Sequence, residues 1–285
     1  MFPDVPLPIK SSEVYVDGQP SEQGILRMAT SDVNANYLSV HLARFDDVRH
    51  LSAHRDEPPA GSPSSWLIGA DEGRHGSEFA SQLASEFIAV GVHADETSAR
   101  ACASAEVDVF VDTTEVWSAA LQPTKSHGYC NWIGNGGHFA VDRSLQPTDG
   151  AVITLTTAGW ELGPDFDVER PIGFSAAVDR VRTWMTDEPI DGMLSSQIFN
   201  FPGLLVHDGP TFSIWRDDNA MKNFAYRPGV HKTEMDAFRL DENADRTSWT
   251  RLRAIESHGT WWGVDPLTTS PPRGTLELSL VTRSR

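Results

Sequence analysis

Apolar and polar residues alternate with two periods along this chain, and these periods predict strands and helices in a definite order. Strand-like runs open at Tyr37–Phe45 and at Ala151–Trp160, where apolar and β-branched residues are concentrated. The segment Arg170–Met185 has helical spacing instead. The apolar residues that share one face of this predicted helix are Phe174, Val178, Val181 and Met185. The pattern therefore predicts a mixed protein of strands and helices.

Two blocks of sequence recur in the second half of the body. "FIAVGVHADETSARACA" (Phe87–Ala103) matches "GPTFSIWRDDNAMKNFA" (Gly209–Ala225) at an offset of 122 residues, and "SHGYCNW" (Ser126–Trp132) matches "SHGTWW" (Ser257–Trp262) at an offset of 131. Each half has the order strand, helix, strand, strand, helix, strand, which is typical of ferredoxin-like units. We therefore predict an α+β protein in which tandem ferredoxin-like repeats form a dimeric-type α+β barrel within one chain.

The blocks also predict the boundaries of the units. Residues 1–36 form an N-terminal arm, 37–149 the first repeat, 150–267 the second repeat, and 268–285 a C-terminal tail. Proline and glycine punctuate the connector "SLQPTDG" between the repeats. The tail contains "LELSLVT", whose alternation predicts an edge strand. Within the matched blocks, Asp95 and Asp217 are the predicted helix N-caps.

The offset grows by nine residues between the two matched blocks, from 122 to 131, and this growth falls around His231. Arg227–Gly229 precedes it; proline cannot donate to a helical ladder and glycine tolerates unusual φ, so we expect one helix to end here and another to begin. His231, Met235 and Phe238 then share one helical face. An imidazole facing an apolar cavity is a good axial ligand for haem iron. The alternative is a core histidine bonded to a backbone carbonyl.

Composition limits the class of protein. The net charge of −17 argues against nucleic-acid and anionic-membrane surfaces, which favour clustered Lys and Arg. Cys102 and Cys130 provide neither a disulfide framework nor a zinc pattern, so we expect reduced thiols in a cytoplasmic protein. No run of about 18 apolar residues is present to span a bilayer. No C-x-x-C-H occurs either, so any haem is held noncovalently.

Several segments in the same order resemble the spheroidene monooxygenase family of carotenoid ketolases. They are "ETSARACASAEVDVF" leading to "LQPTKSHG", then "TFSIWRDDNAMKNFA" followed by His231, and finally "SHGTWWGVDP". The resemblance implies haem b iron held by His231, dioxygen, and a ferredoxin or other electron donor. More distantly the architecture resembles haem-dependent aldoxime dehydratases, which hold haem with a histidine in the C-terminal half.

These resemblances predict an enzyme. The leading function is haem-dependent monooxygenation of an apolar or biosynthetic small molecule, with a homodimer as an allowed assembly. The alternatives are haem-dependent dehydration or other N–O bond chemistry, and a non-catalytic haem-binding module. The sequence departs from the ketolase pattern after Glu188-Pro189, where Asp191, Gly192 and Met193 follow. This departure predicts a changed substrate pocket. A fixed distal acid would favour dehydration, and dependence on a redox partner would favour oxygenation.

Candidate distal groups are Ser195, Gln197 and His258. "MLSSQIF" alternates, so Ser195 and Gln197 face one side of a strand while Ser196 and Ile198 face the other. His258 lies in the repeated "SHG" setting, as does His127, and duplication favours a scaffold role. Arg182 is a candidate partner for a haem propionate or a surface charge. The aromatic residues that we predict to line a pocket or to fill core are Trp184, Phe199, Phe201 and Trp215.

Two short motifs have the His-x-Asp spacing of a non-haem iron site: His93–Asp95 and His54–Asp56. Asp95 is explained more simply as a helix cap, and no third histidine is identifiable. "GNGG" (Gly134–Gly137) lacks the full dinucleotide fingerprint and predicts a turn.

Overall fold

A computed structural model describes residues 15–16, 19–20, 37–50, 63, 65–71, 83–107, 110–129, 138–141, 150–161, 164–188, 190–200, 209–240 and 244–267. The strands are β1 Tyr15–Val16, β2 Gln19–Pro20, β3 Tyr37–His50, β4 Ser65–Asp71, β5 Leu83–His93, β6 Glu115–Gly128, β7 Val152–Gly159, β8 Met193–Asn200, β9 Gly209–Trp215 and β10 Arg246–Gly259. The helices are α1 Glu96–Ala103, α2 Glu169–Asp187, α3 Asp218–Tyr226 and α4 Val230–Leu240.

Eight strands close into one antiparallel barrel in the order β10-β6-β3-β5-β4-β8-β9-β7. The first half supplies the neighbours β6-β3-β5-β4, and the second half supplies β10-β7-β9-β8. Numbered within its own half, each set has the order fourth, first, third, second. The α+β class is thus observed. The origin of the halves as tandem repeats, and the domain boundaries proposed from them, stay predictions.

The two "SHG" segments occupy equivalent places at the ends of the long strands β6 and β10. Gly128 has φ of 75° and Gly259 has φ of 76°, a region that favours glycine. A Cβ on Gly128 would lie 1.9 Å from the carbonyl oxygen of Thr247, and one on Gly259 would lie 2.1 Å from that of Val116. Steric crowding at the two ends of the β6–β10 ladder therefore explains why both segments carry glycine.

The predicted helix starts and the predicted helix break are confirmed. Asp95 Oδ1 accepts a hydrogen bond from the Ser98 amide at 2.8 Å, and Asp217 Oδ1 accepts one from the Ala220 amide at 2.7 Å. Each bond satisfies an amide that the first helical turn leaves without an intrahelical partner. Helix α3 then ends at Tyr226 and α4 begins at Val230, so α4 takes its own direction.

The barrel interior is a continuous apolar core to which all eight strands contribute. Its largest fully buried side chains include Leu38, Leu67, Trp117, Phe199 and Phe212. Two separate clusters lie on the outer face of the first half, beneath α1, whose Ala99, Cys102 and Ala103 are buried. These small side chains let α1 approach the sheet closely, so the part of this face beneath α1 is closed.

Several predictions fall outside the described residues. Only β1 and β2, which pair with each other, are described in the predicted arm. The tail strand, Cys130, Phe201, His54–Asp56 and Gly134–Gly137 all lie outside the described ranges. In the part of the chain that is described, no helix has both the length and the apolar character needed to cross a membrane.

Candidate functional site

The centre of the outer sheet face in the second half is not tightly covered by helices. Trp249, Thr156, Thr211 and Ile198 lie side by side on four neighbouring strands, because their backbones pair in that order. Thr156 is exposed, and the other three are half-buried. We call these four residues the floor row. A central strand position covered by packed helices would be buried, so space remains above this row.

Helices α2 and α4 form a roof over this face. The Phe174 ring of α2 lies 5.1 Å from the Phe238 ring of α4 and 5.4 Å from the Trp160 ring beyond β7. Arg180 of α2 donates two hydrogen bonds to Glu234 of α4, at 2.6 and 2.7 Å. These contacts hold the two helices to each other.

The apolar faces of the roof helices are not fully buried. The half-buried residues are Phe174, Val178, Val181, Met185, Met235 and Phe238. Because Thr156 stays exposed beneath helices whose apolar faces are only half-buried, we infer a gap between the two layers. We call this space, between α2 and α4 above and the floor row below, the helix–sheet cleft. It contrasts with the close packing of α1 on the first half.

His231 lies in the first turn of α4, at one end of the cleft. Its ring is half-buried and stands 4.3 Å from the ring of Phe224 on α3. Phe224 in turn packs on Trp215 of β9 at 5.0 Å and stacks on Trp184 of α2 at 6.0 Å. The imidazole thus lies against one ring of an aromatic cluster built from α2, α3 and β9, an apolar setting that suits a histidine ligand of haem.

Met235 and Phe238 follow His231 along α4 and are half-buried in the roof. Arg182 is half-buried on α2, the other roof helix. The structure therefore places these three candidates on the roof helices together with His231. Their roles toward a cofactor stay predictions.

Ser195 and Gln197 lie on the opposite face of the sheet. The Trp261 indole N–H donates to Ser195 Oγ at 3.1 Å, and Ser195 Oγ donates to Gln197 Oε1 at 2.8 Å. Trp261 belongs to the barrel-interior core, as does Phe199 on the same side of β8. The structure does not bring this pair to His231. Alternation places Ser196 on the cleft side instead.

His258 also lies away from the cleft. It follows six residues after Leu252, the last residue of β10 that pairs with β7. Its side chain is 45% exposed, and its Nε2 lies 2.6 Å from Glu256 Oε1. His258 was a distal candidate because it belongs to the second half. In the structure, the end of β10 that carries His258 pairs with β6 of the first half.

Sequence reasoning missed the floor row. Its one sequence signal is the outer face of β7, where Thr154 and Thr156 alternate with the interior residues Ile153 and Leu155. A strand covered on both faces usually carries apolar residues on both, so hydroxyls at these positions indicate a polar or open surface. Thr154 Oγ1 and Ser213 Oγ lie 2.6 Å apart, so this hydroxyl pair is satisfied internally.

The side chains of the His93–Asp95 motif make structural contacts. Asp95 caps α1, as described above, and His93 is buried with its Nε2 2.9 Å from Ser39 Oγ. Across the described ranges, no three His, Cys, Asp or Glu side chains come together as a metal-binding group. A haem site does not need such a group, because one protein ligand is enough.

No family model matches the chain, and no curated protein matches it in sequence. The fold is similar to that of an aldoxime dehydratase, with a TM-score of 0.50 and 13% identity over 79% of this chain and 84% of the other. A protein proposed to be a monooxygenase, from Fusobacterium nucleatum subsp. nucleatum, gives 0.34 and 10% over 80% and 95%. SnoaB, a cofactor-independent oxygenase from Streptomyces nogalater, gives 0.24 and 13% over 46% and 99%. At these identities the aldoxime dehydratase comparison shows a shared fold and nothing more.

Proposed function

We propose that this protein is a haem b-dependent enzyme in which His231 would bind the haem iron and the helix–sheet cleft would hold the cofactor. The observation that carries the proposal is the position of His231. Its half-buried imidazole packs against Phe224 of an aromatic cluster, at one end of the gap between helices and sheet. The resemblance of "TFSIWRDDNAMKNFA" and the following histidine to haem-containing ketolases supports the same assignment.

The residues present fit a haem. The roof has half-buried apolar side chains, including Met235 and Phe238, that would hold a porphyrin, and His231 would supply one nitrogen ligand. When bound, haem would supply an iron centre that takes up dioxygen or a ligand oxygen or nitrogen. The chain itself would hold the ring, exclude water with the aromatic groups around Phe224, and place hydroxyls of the floor row near the ligand.

The floor row favours oxygenation as the leading reaction. Its four side chains are an indole, two hydroxyls and an aliphatic group, and none of them is a strong proton donor. Ser196 adds a further hydroxyl on the cleft side of β8. Hydroxyls at Thr156 and Thr211 would donate hydrogen bonds to a polar group in the cleft but would not protonate a leaving group. We propose an apolar or biosynthetic small molecule as substrate and a ferredoxin or another protein as electron donor.

Dehydration is the second candidate, and the shared fold of the aldoxime dehydratase favours it. That chemistry needs a proton at the leaving hydroxyl, which the floor hydroxyls would have to relay from water. The two reactions differ in their requirements. Oxygenation consumes dioxygen and reducing equivalents, whereas dehydration proceeds without net electron input. Turnover of butyraldoxime under nitrogen would support dehydration, and dependence on dioxygen and a reductant would support oxygenation.

The test of the haem site is His231→Ala. We expect the variant to keep its far-UV circular dichroism and to lose most haem binding in a titration, because the first half builds its barrel strands without this residue. Added imidazole should partly restore the absorption spectrum by filling the vacated position. His258→Ala is the matched control and should bind haem normally, since His258 lies outside the cleft. A folded His231→Ala variant with full haem loading and an unchanged spectrum would eliminate His231 as ligand.

A further inference from the structure

The seam between the two halves carries a row of cationic side chains on its outer face. β6 pairs with β10 along this seam, with Lys125 opposite Arg251 and His127 opposite Trp249. Directly paired residues point to the same side of a sheet, and Trp249 packs with the apolar cluster beneath α3 on the outer side. Lys125 and His127 are therefore on the outer face of the barrel, beside the floor row.

The positive charge of the seam is only partly neutralised. Arg251 donates to Asp218 Oδ1 at 2.8 Å and to Thr124 Oγ1 at 2.9 Å, so its charge is paired. Arg253 instead donates twice to the neutral amide oxygen of Gln122, at 2.8 and 3.1 Å. Among the described residues, no carboxylate forms an ion pair with Lys125.

Two carboxylates beside the seam, Asp218 and Glu256, already have basic partners. Asp218 pairs with Lys222 as well as Arg251. Glu256 pairs with Arg100, at 2.5 Å, and with His258. In a protein with a net charge of −17, a surface with surplus Lys and Arg is a local positive region that attracts anions.

Trp249 lies between Lys125 and the helix–sheet cleft. The Lys125 ammonium lies 5.9 Å from the centre of the Trp249 ring, and the His127 ring stacks on the same indole at 5.3 Å. On its other side Trp249 pairs with Thr156, the exposed centre of the floor row. A ligand in the cleft would therefore pass over the indole before it reached the ammonium.

We propose that Lys125 and Trp249 form a carboxylate-recognition site at the mouth of the helix–sheet cleft, for a ligand whose apolar part lies within the cleft. The proposal rests on the cleft assigned above but not on His231 ligation. Two sources supply such a carboxylate: a haem propionate, or the acid group of an aromatic or aliphatic acid substrate. Both present an anion at one end of an apolar body.

The test compares Lys125→Met with Lys222→Met, which removes the same charge from α3, where Lys222 already pairs with Asp218. Calorimetric titration of the purified full chain with hydrocinnamate and with its neutral amide examines the acid-substrate source. Titration with haem and with haem dimethyl ester examines the propionate source. Because Lys125 is exposed, the loss of one charge pair gives an expected decrease of at most about fivefold in affinity. Lys125→Arg should retain the affinity, because it keeps the charge.

The outcomes separate the two sources. If hydrocinnamate loses affinity in Lys125→Met alone while its amide does not, the site binds an acid ligand. If haem loses affinity while its dimethyl ester does not, the site holds a propionate. If neither anionic ligand distinguishes Lys125→Met from Lys222→Met, or neither binds the wild type, the proposal is overturned. The hydrocinnamate titration needs no haem, so it decides even if His231 proves not to bind iron.

Discussion

His41 should make the stability of the first half depend on pH. The residue is fully buried on β3, its Nδ1 lies 2.8 Å from Ser118 Oγ, and its ring meets Trp66 edge-on at 5.9 Å. Burial, with a smaller contribution from the nearby His93, lowers the pKa of His41 from 6.5 to about 4. The buried imidazole is therefore neutral at pH 5, where an unfolded chain would bind a proton.

The sign and size follow from this shift. Because the folded pKa is lowered, the unfolded state binds more protons between pH 6.5 and pH 4, and stability falls as pH drops through that window. One pKa unit corresponds to about 1.4 kcal/mol, so the full shift is worth roughly 3 kcal/mol. Between pH 7.5 and pH 5 the expected loss in unfolding free energy from His41 is about 2 kcal/mol.

Urea unfolding at the two pH values, for wild type and His41→Gln, measures this contribution. Glutamine keeps a polar group for Ser118 but cannot titrate, so the variant should lose about 2 kcal/mol less than wild type on acidification. A pH dependence in His41→Gln equal to that of wild type, within about 0.5 kcal/mol, would refute the argument.

Three further predictions concern the cleft and the cysteines. Thr156→Trp should fill the cleft and lower haem affinity at least about tenfold in a titration, with little change in the melting temperature from thermal scans. The control Thr97→Trp, at an exposed position of α1, should leave haem affinity unchanged. Burial raises the pKa of the Cys102 thiol to about 11. In the Cys130→Ser variant, Cys102 should therefore react with an aromatic disulfide at least about tenfold more slowly in the native protein than in the urea-unfolded protein. Replacing both cysteines by serine should leave the haem spectrum intact.

The local features that could be predicted from the sequence are those that depend on the chemistry of a single residue type. Asp95 and Asp217 were predicted as caps because their short carboxyl side chains reach free amides, and both make that bond. The break at Arg227–Gly229 followed from proline and glycine chemistry in the same way. The α+β class followed from the order in which strand-like and helix-like apolar periodicities occur along the chain.

The candidate site was harder to predict because it depends on which side of a strand faces inward. Alternation separated Ser195 and Gln197 from Ser196 and Ile198 but did not say which pair enters the barrel. In the structure, an irregularity in pairing between Met193 and Ser195 breaks the alternation within β8. That irregularity leaves no signal in the sequence. The open floor likewise depends on how far α2 and α4 stand from the sheet.

The central claim is a bond between the His231 imidazole and haem iron, and resonance Raman spectroscopy of the reduced, haem-loaded protein tests that bond directly. The account predicts an iron–histidine stretching band that shifts when the protein carries nitrogen-15 histidine. The band should vanish in His231→Ala, and added unlabelled imidazole should restore it without the isotope shift. A labelled iron–histidine band that persists in a folded His231→Ala variant would contradict the account.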